Sequence, residues 1–210
     1  LIGTEKTMKS INRKKLIDKF KRLYQPNNMI LCIVGKANFN EIVKFAEKKF
    51  PLKKADVPKQ KIVLKNSSEI EKRTGIDQAN LIFAYHVPKI KDKRIYASTV
   101  LNTLLAGGMS SRLFTEIREK RNLAYSIRGG LDTGKDYGHA YIYVGTSKEN
   151  VAKVKELIIE EFKKVVQDIS EKELAQVKEQ IIGNYKISTE DSYAQMINLL
   201  YSETFDNIRN

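Results

Sequence analysis

The sequence predicts an α+β fold, a largely antiparallel sheet with helices packed on one face. Three observations carry this. Helical and strand patterns come in runs: helix–strand–helix, strands, two helices, a hairpin, then two or three helices. The stretches Ala124–Leu131 and Gly138–Val144 read as strands, and Asp132, Gly134 and Asp136 between them suit a hairpin turn. In the second strand Tyr141 and Tyr143 alternate with Ile142 and Val144, so one face carries the tyrosines.

Taken in order, Ser10 is placed to cap a helix through Tyr24, with Leu16, Ile17, Phe20, Leu23 and Tyr24 on one face. Pro26-Asn27-Asn28 is a turn. Met29–Val34 reads as a buried strand ending at Gly35, and Asn38 or Asn40 opens a helix through Lys49. Pro51–Lys61 is polar, lysine-rich and holds two prolines, as a linker does. Ile62–Leu64 and Ile70–Arg73 are short strand candidates, and Ala79–Val87 is a stronger one, ended by Pro88. A helix with Val100, Leu101, Leu104 and Leu105 follows and stops at Gly107, where glycine tolerates a left-handed conformation. Ser110 or Ser111 caps the next helix, whose apolar side is Leu113, Phe114 and Ile117. Glu116 and Lys120 form an i,i+4 pair, Asn122 breaks the helix, and Leu123 to Ile127 starts a strand. After the hairpin, Ser147 caps a long helix through Val166. Ser170 caps another with Glu173 at the capping-box position and Leu174, Val177, Ile181 and Ile182 on its core face. A last pattern, Tyr193–Tyr201, is expected to pack on that helix through Met196, Ile197, Leu199 and Leu200.

With 210 residues and 41% hydrophobic content, the chain can build a real core. No apolar run approaches a membrane span and no signal-peptide pattern opens the chain, so the expectation is a soluble, cytoplasmic protein. The opening Leu1-Ile2-Gly3 without an initiator Met, and the unfinished helical pattern at the end, lead us to expect a fragment of a longer protein. One cysteine, Cys32, rules out an internal disulfide and reads as a small buried hydrophobe. The net charge of +13 is uneven: residues 1–105 hold 23 Lys/Arg and 9 Asp/Glu, residues 106–210 hold 15 and 16. A basic nucleic-acid patch is one reading. A lysine-rich solvated surface is another, and a surface facing an acidic segment outside this chain is a third. The lysines lie on the polar faces of amphipathic patterns and lack interleaved aromatics, which argues against nucleic acid.

The stretch Gly107–Tyr125 holds two residues that packing alone does not explain. Arg118 falls in a last helical turn and Tyr125 on the strand beyond, seven positions on. A tight helix-to-strand turn would bring a guanidinium fork and a phenolic O–H toward one edge, both donors to a carbonyl or an oxyanion. The plain alternative is that Arg118 pairs with Glu119 or another acid while Tyr125 packs half-buried on the sheet.

The run Gly107-Gly108-Met109-Ser110-Ser111-Arg112-Leu113-Phe114, with Arg118-Glu119-Lys120 and Leu123-Ala124-Tyr125, resembles the second-domain signature of pitrilysin/insulinase-type zinc peptidases, in particular the mitochondrial-processing-peptidase branch. The helix, Tyr24-x-Pro26-Asn27-Asn28-Met29, strand, Gly35 and helix unit resembles the end of that family's first domain. The resemblance implies a metallopeptidase-like, ferredoxin-type α/β sandwich. It implies that residues 1–50 end a first domain, 51–61 link it, and 62–210 form a C-terminally truncated second, inactive domain. It also implies that Arg118 and Tyr125 contact a peptide substrate opposite a zinc ion across a closed chamber.

The family's zinc site is His-x-x-Glu-His on one helix, a spacing that puts two imidazoles on one face with a general base beside them. This chain has two histidines, His86 and His139, 53 positions apart, so it holds no such motif. No catalytic or metal residue is assigned in this chain, and zinc is expected only in the full-length enzyme. Ser110 and Ser111 have no base near them in sequence for nucleophilic work. The processing peptidase's non-catalytic subunit carries a longer glycine-rich loop about here; this chain has two glycines. Whether the chain is itself part of an enzyme stays open. The first reading is the substrate-binding, non-zinc portion of a zinc metalloendopeptidase, with peptide substrate and the zinc-binding part of the first domain as partners. The second is a non-catalytic subunit or pseudo-peptidase scaffold that pairs with a catalytic subunit as a homo- or heterodimer. A basic nucleic-acid binder is the third.

Overall fold

In the computed structural model, residues 3–50, 55–58 and 61–205 are described. Most of the expected Pro51–Lys61 linker lies outside them. The chain divides into two compact units, one of residues 1–61 with 192–209 and one of residues 62–191.

In the first unit, Asn12 caps α2 (Arg13–Leu23) by accepting from the Lys15 N–H at 3.0 Å. Ser10 instead ends a separate short helix, α1 (Glu5–Lys9). The N-cap of α3 (Phe39–Lys49) is Asn38, whose side chain accepts from Asn40 and Glu41. Asn27 exchanges two bonds with the backbone of Ala55, at 2.9 and 3.1 Å, tying the turn to the chain beyond α3. Met29–Val34 is not a strand: it is unpaired, and Met29, Ile30, Leu31 and Ile33 are exposed. An apolar run becomes a strand only where a neighbour completes its hydrogen-bond ladder, and no described residue does so here. Cys32 is half-buried, and its thiol donates to the Met196 carbonyl of α7 (Ser192–Thr204) at 3.4 Å. That helix therefore belongs with the first unit, where the sequence reading packs it on the helix before it.

The second unit is built on a three-stranded antiparallel sheet, β1 (Gln78–His86), β2 (Ala124–Thr133) and β3 (Gly138–Ser147), in the order β1-β3-β2. The short stretches at 62–64 and 70–73 form no strands; Ile62, Val63, Leu64 and Ile70 are exposed, since three or four apolar residues without a partner bury too little to be held. Strand alternation sends Leu81, Phe83 and Tyr85, Ile142 and Val144, and Ala124 and Ile127 to one face. Three helices complete the core: α4 (Ile95–Ala106) through Leu104, Leu105 and Ala106, α5 (Val151–Gln167) through Val154, Leu157 and Ile158, and α6 (Glu171–Ser188) through Val177. Close approach of α4 depends on Gly129: a Cβ there would meet Asn102 Oδ1 at 2.6 Å and Ala106 Cβ at 2.9 Å. Asn102 is buried and donates to the Tyr85 hydroxyl at 3.3 Å and the Tyr141 carbonyl at 3.4 Å. Burial pushes the Tyr85 hydroxyl's pKa up.

Helix ends in the second unit also differ from the sequence reading. Gly107 has φ −88°, and the positive φ, 128°, falls on Gly108. Glycine is needed at 107 for space, because a Cβ would lie 2.5 Å from the Thr103 backbone. Ser147 precedes a 3₁₀ turn (Lys148–Asn150) and makes no cap bond with its side chain. Ser170 does cap α6, accepting from the Glu173 N–H at 3.2 Å. The Glu173 carboxylate, however, turns to Arg112, which donates to it through Nε at 2.6 Å and Nη2 at 2.5 Å and to the Asp168 carbonyl at 2.6 Å. A bidentate arginine outcompetes one backbone N–H for a carboxylate.

Two expectations follow. Ile142 is fully buried on the central strand; Ile142→Ala is expected to lower unfolding free energy by about 2–5 kcal/mol in urea titration. The Arg112 guanidinium holds the Glu173 carboxyl below its ordinary value of 4.5. The folded state thus takes up the proton less readily than the unfolded one, so the stabilisation is complete above pH 4.5 and fades as pH falls through the lower, folded value. Arg112→Met is expected to cost about 1–3 kcal/mol at pH 7, and the gap between the two proteins in urea titration should narrow as pH falls below 4.5, leaving the part that comes from the bond to the Asp168 carbonyl.

Candidate functional site

From the end of α4 into the first residues of β2 the chain makes two departures from regular hydrogen-bond register. The first is at Phe114–Glu119, which is a π-helix and not the expected α-helix. Its wider turn is closed by the Lys120 N–H bonding to the Thr115 carbonyl, five residues back, at 2.9 Å. Ser111, expected as a cap, uses its hydroxyl to donate to the Gly108 carbonyl at 2.6 Å. Fully buried Leu113 and Ile117 anchor the π-helix to the core. Glu116 binds Lys120 at 2.9 Å, as the spacing predicts, and also Arg121.

Asn122 then takes φ 51°, a left-handed conformation that asparagine tolerates. Its N–H bonds to the Arg118 carbonyl, and that of Leu123 to the Ile117 carbonyl, both at 2.9 Å. Thr146 of β3 donates its hydroxyl to the Leu123 carbonyl at 2.5 Å. These bonds fix where β2 begins relative to the π-helix.

The second departure follows at once. Ala124 pairs with Thr146 and Ser126 with Gly145, so Tyr125 is the extra residue of a β-bulge. A bulge re-aims the side chain it carries. Tyr125 is 65% exposed, where the plain reading has it half-buried in the sheet. Arg118 is also exposed, its guanidinium 5.0 Å over the Phe114 ring. It makes no ion pair with Glu119 or any other described residue; side chains adjacent in a helix point apart. No hydrogen bond joins Arg118 to Tyr125 among the described residues. Both present their donors to solvent, and both can bond to a carbonyl or an anionic oxygen.

The open face of the sheet adds residues beyond these two. Arg128, Tyr143 and Ile82 stand in one row across the three strands. The tyrosines were legible from the alternation on β3; Arg128 was not, because its neighbours across the sheet come from remote sequence. The two histidines meet the same way. His86 and His139 are cross-strand partners, with Asp132 next in the row and its Oδ2 3.9 Å from His139 Nε2. His86 Nε2 lies 2.8 Å from Asn66 Oδ1. Among the described residues no three His, Cys, Asp or Glu side chains are placed to hold a metal ion. No described helix is long and apolar enough to cross a membrane.

Comparison with known proteins gives this arrangement a context. Residues 10–181 match the family described as Peptidase M16 inactive domain. The uncharacterized zinc protease YmxG of Bacillus subtilis is 30% identical over 207 residues, which are 93% of this chain and 48% of the relative. The chain thus spans about half the length of the curated relatives it matches. A conserved protein from Enterococcus faecalis shares 26% identity at a TM-score of 0.66, over 80% of this chain and 41% of that one. A protease from Helicobacter pylori, 22% identical, shares the fold at a TM-score of 0.76 over 96% of this chain and 51% of that one. The extent of these matches, and the α+β sheet they share, establish that the chain belongs to the peptidase M16 inactive-domain family of pitrilysin/insulinase-type proteins.

Proposed function

We propose that this chain is the substrate-binding, non-zinc portion of a zinc metalloendopeptidase, and that it does not hydrolyse peptides by itself. Residues 1–50 would end the first domain, 51–61 link it, and the sheet-bearing stretch from residue 62 form the second. Zinc is held, in this reading, by residues outside this chain, in a closed chamber that the second domain faces. The relatives named zinc proteases, about twice this chain's length, support it.

The observation that carries the reading is the display of Arg118 and Tyr125. A π-helix and a bulge, both costly departures from regular structure, hold two strong donors in solvent with no protein acceptor among the described residues. The guanidinium would bind a substrate backbone carbonyl. The phenol would donate to the same chain or to the oxyanion as it develops.

In the full-length protein, Tyr125→Phe and Arg118→Ala are each expected to lower turnover of a peptide by about 10²–10³, with zinc content and unfolding midpoint unchanged. Unchanged turnover in both variants would overturn the assignment.

A further inference from the structure

We propose that Arg128 selects a carboxylate side chain on the bound peptide, so that the substrates are extended peptides carrying Asp or Glu at one position. This rests on the reading above, in which the peptide reaches Arg118 and Tyr125. It extends that contact onto the open face of the sheet.

Arg128 sits in the row it shares with Tyr143 and Ile82. Its guanidinium lies 5.4 Å over the Tyr143 ring, and its Nε donates to Ser126 Oγ at 3.3 Å. The Tyr143 hydroxyl in turn donates to Asn80 Oδ1 at 2.7 Å, which pins the far end of the ring. The guanidinium is thereby held by its face and by one nitrogen. Its two terminal nitrogens make no ion pair with a described residue. That is the half of the fork that grips a carboxylate with two parallel bonds.

The surroundings favour a carboxylate on a peptide over a polyanion. The only acid on the three strands is Asp132. It lies four residues along β2, roughly 13 Å away, and already accepts from the Tyr137 hydroxyl at 3.1 Å. No other Lys or Arg lies on the strands, whereas a phosphate backbone is held by several cations at once. Apart from Ser126 and Asn80, what lies around Arg128 on this face is apolar and aromatic. Ile82 is 65% exposed, and Tyr141 leans over Gly130, where a Cβ would lie 2.6 Å from its ring. Such a face suits the side chains of an extended peptide.

The test uses the full-length protein and fluorescein-labelled peptides, with a chelator present so that binding is read without cleavage. Glu is exchanged for Gln at each position in turn. At one position the Glu peptide should bind about tenfold tighter, the yield of a charge-assisted bond pair. Arg128→Gln should abolish that preference by weakening the Glu peptide alone, and Arg128→Lys should restore it only in part. Tyr125→Phe should leave the Glu/Gln ratio untouched. The proposal is overturned if no position shows the preference, or if Arg128→Gln weakens both peptides equally. Failure of the Arg118 and Tyr125 assignment appears separately, as normal turnover in those variants.

Discussion

The second unit depends on burying one face of β3. Ala140, Ile142, Val144 and Thr146 of that strand are fully removed from solvent, and the pleat sends their neighbours to the other side. Covering this face needs α4 close against β2, which Gly129 permits, and Asn102 satisfied at the seam between helix and sheet. Once helices occupy one face, the opposite face carries the tyrosines, Arg128 and Ile82, with the His86, His139 and Asp132 row at its end. A sheet held from one side is at once a stable core and a platform.

The signature stretch joins these two roles. Leu113 and Ile117 point into the core and Arg118 does not, although all three lie within two turns. The π-helix widens the turn that carries Arg118, and the left-handed Asn122 reverses the chain four residues on. The bulge then inserts Tyr125 without shifting the rest of β2 off its register with β3. A one-residue insertion elsewhere in the strand would move every later side chain to the wrong face. Placed at the strand's first step, it re-aims one residue only. Arg112 holds the stretch from the other side through Glu173 and the Asp168 carbonyl, so its position is fixed by α6 as well as by the sheet.

Much of this was legible in the sequence because local periodicity carried it. The hairpin, the two-faced β3, the Glu116–Lys120 pair and the Ser170 cap were all readable within a few residues. What escaped depended on partners remote in sequence. Met29–Val34 has the composition of a strand but no ladder among the described residues. Glu173 has the spacing of a capping box, yet Arg112, 61 positions away, takes its carboxylate. The π-helix and the bulge each differ from regular structure by one residue of hydrogen-bond register, which side-chain pattern does not encode. The motif singles out Arg118 and Tyr125, while the geometry that exposes them is not written in it.

The arginines of this region divide by what they touch, and the division is chemical. Arg112 and Arg121 meet carboxylates, Glu173 and Glu116, through the edge of the guanidinium. Arg118 and Arg128 meet rings, Phe114 and Tyr143, through its face. The two modes do not compete: stacking uses the flat surface, and the N–H donors radiate in the plane. An arginine on a ring is therefore restrained without being satisfied. Stacking at an exposed site stabilises by only about 0.5–1 kcal/mol, less than the 1.5–3 kcal/mol typical of a hydrogen bond to a charged group. Such a side chain loses less rotamer freedom when an acceptor arrives and keeps its stacking after it binds. Two arginines are held this way, on one turn and the strand that follows it, each stacked on a ring while its in-plane donors make no ion pair with a described residue.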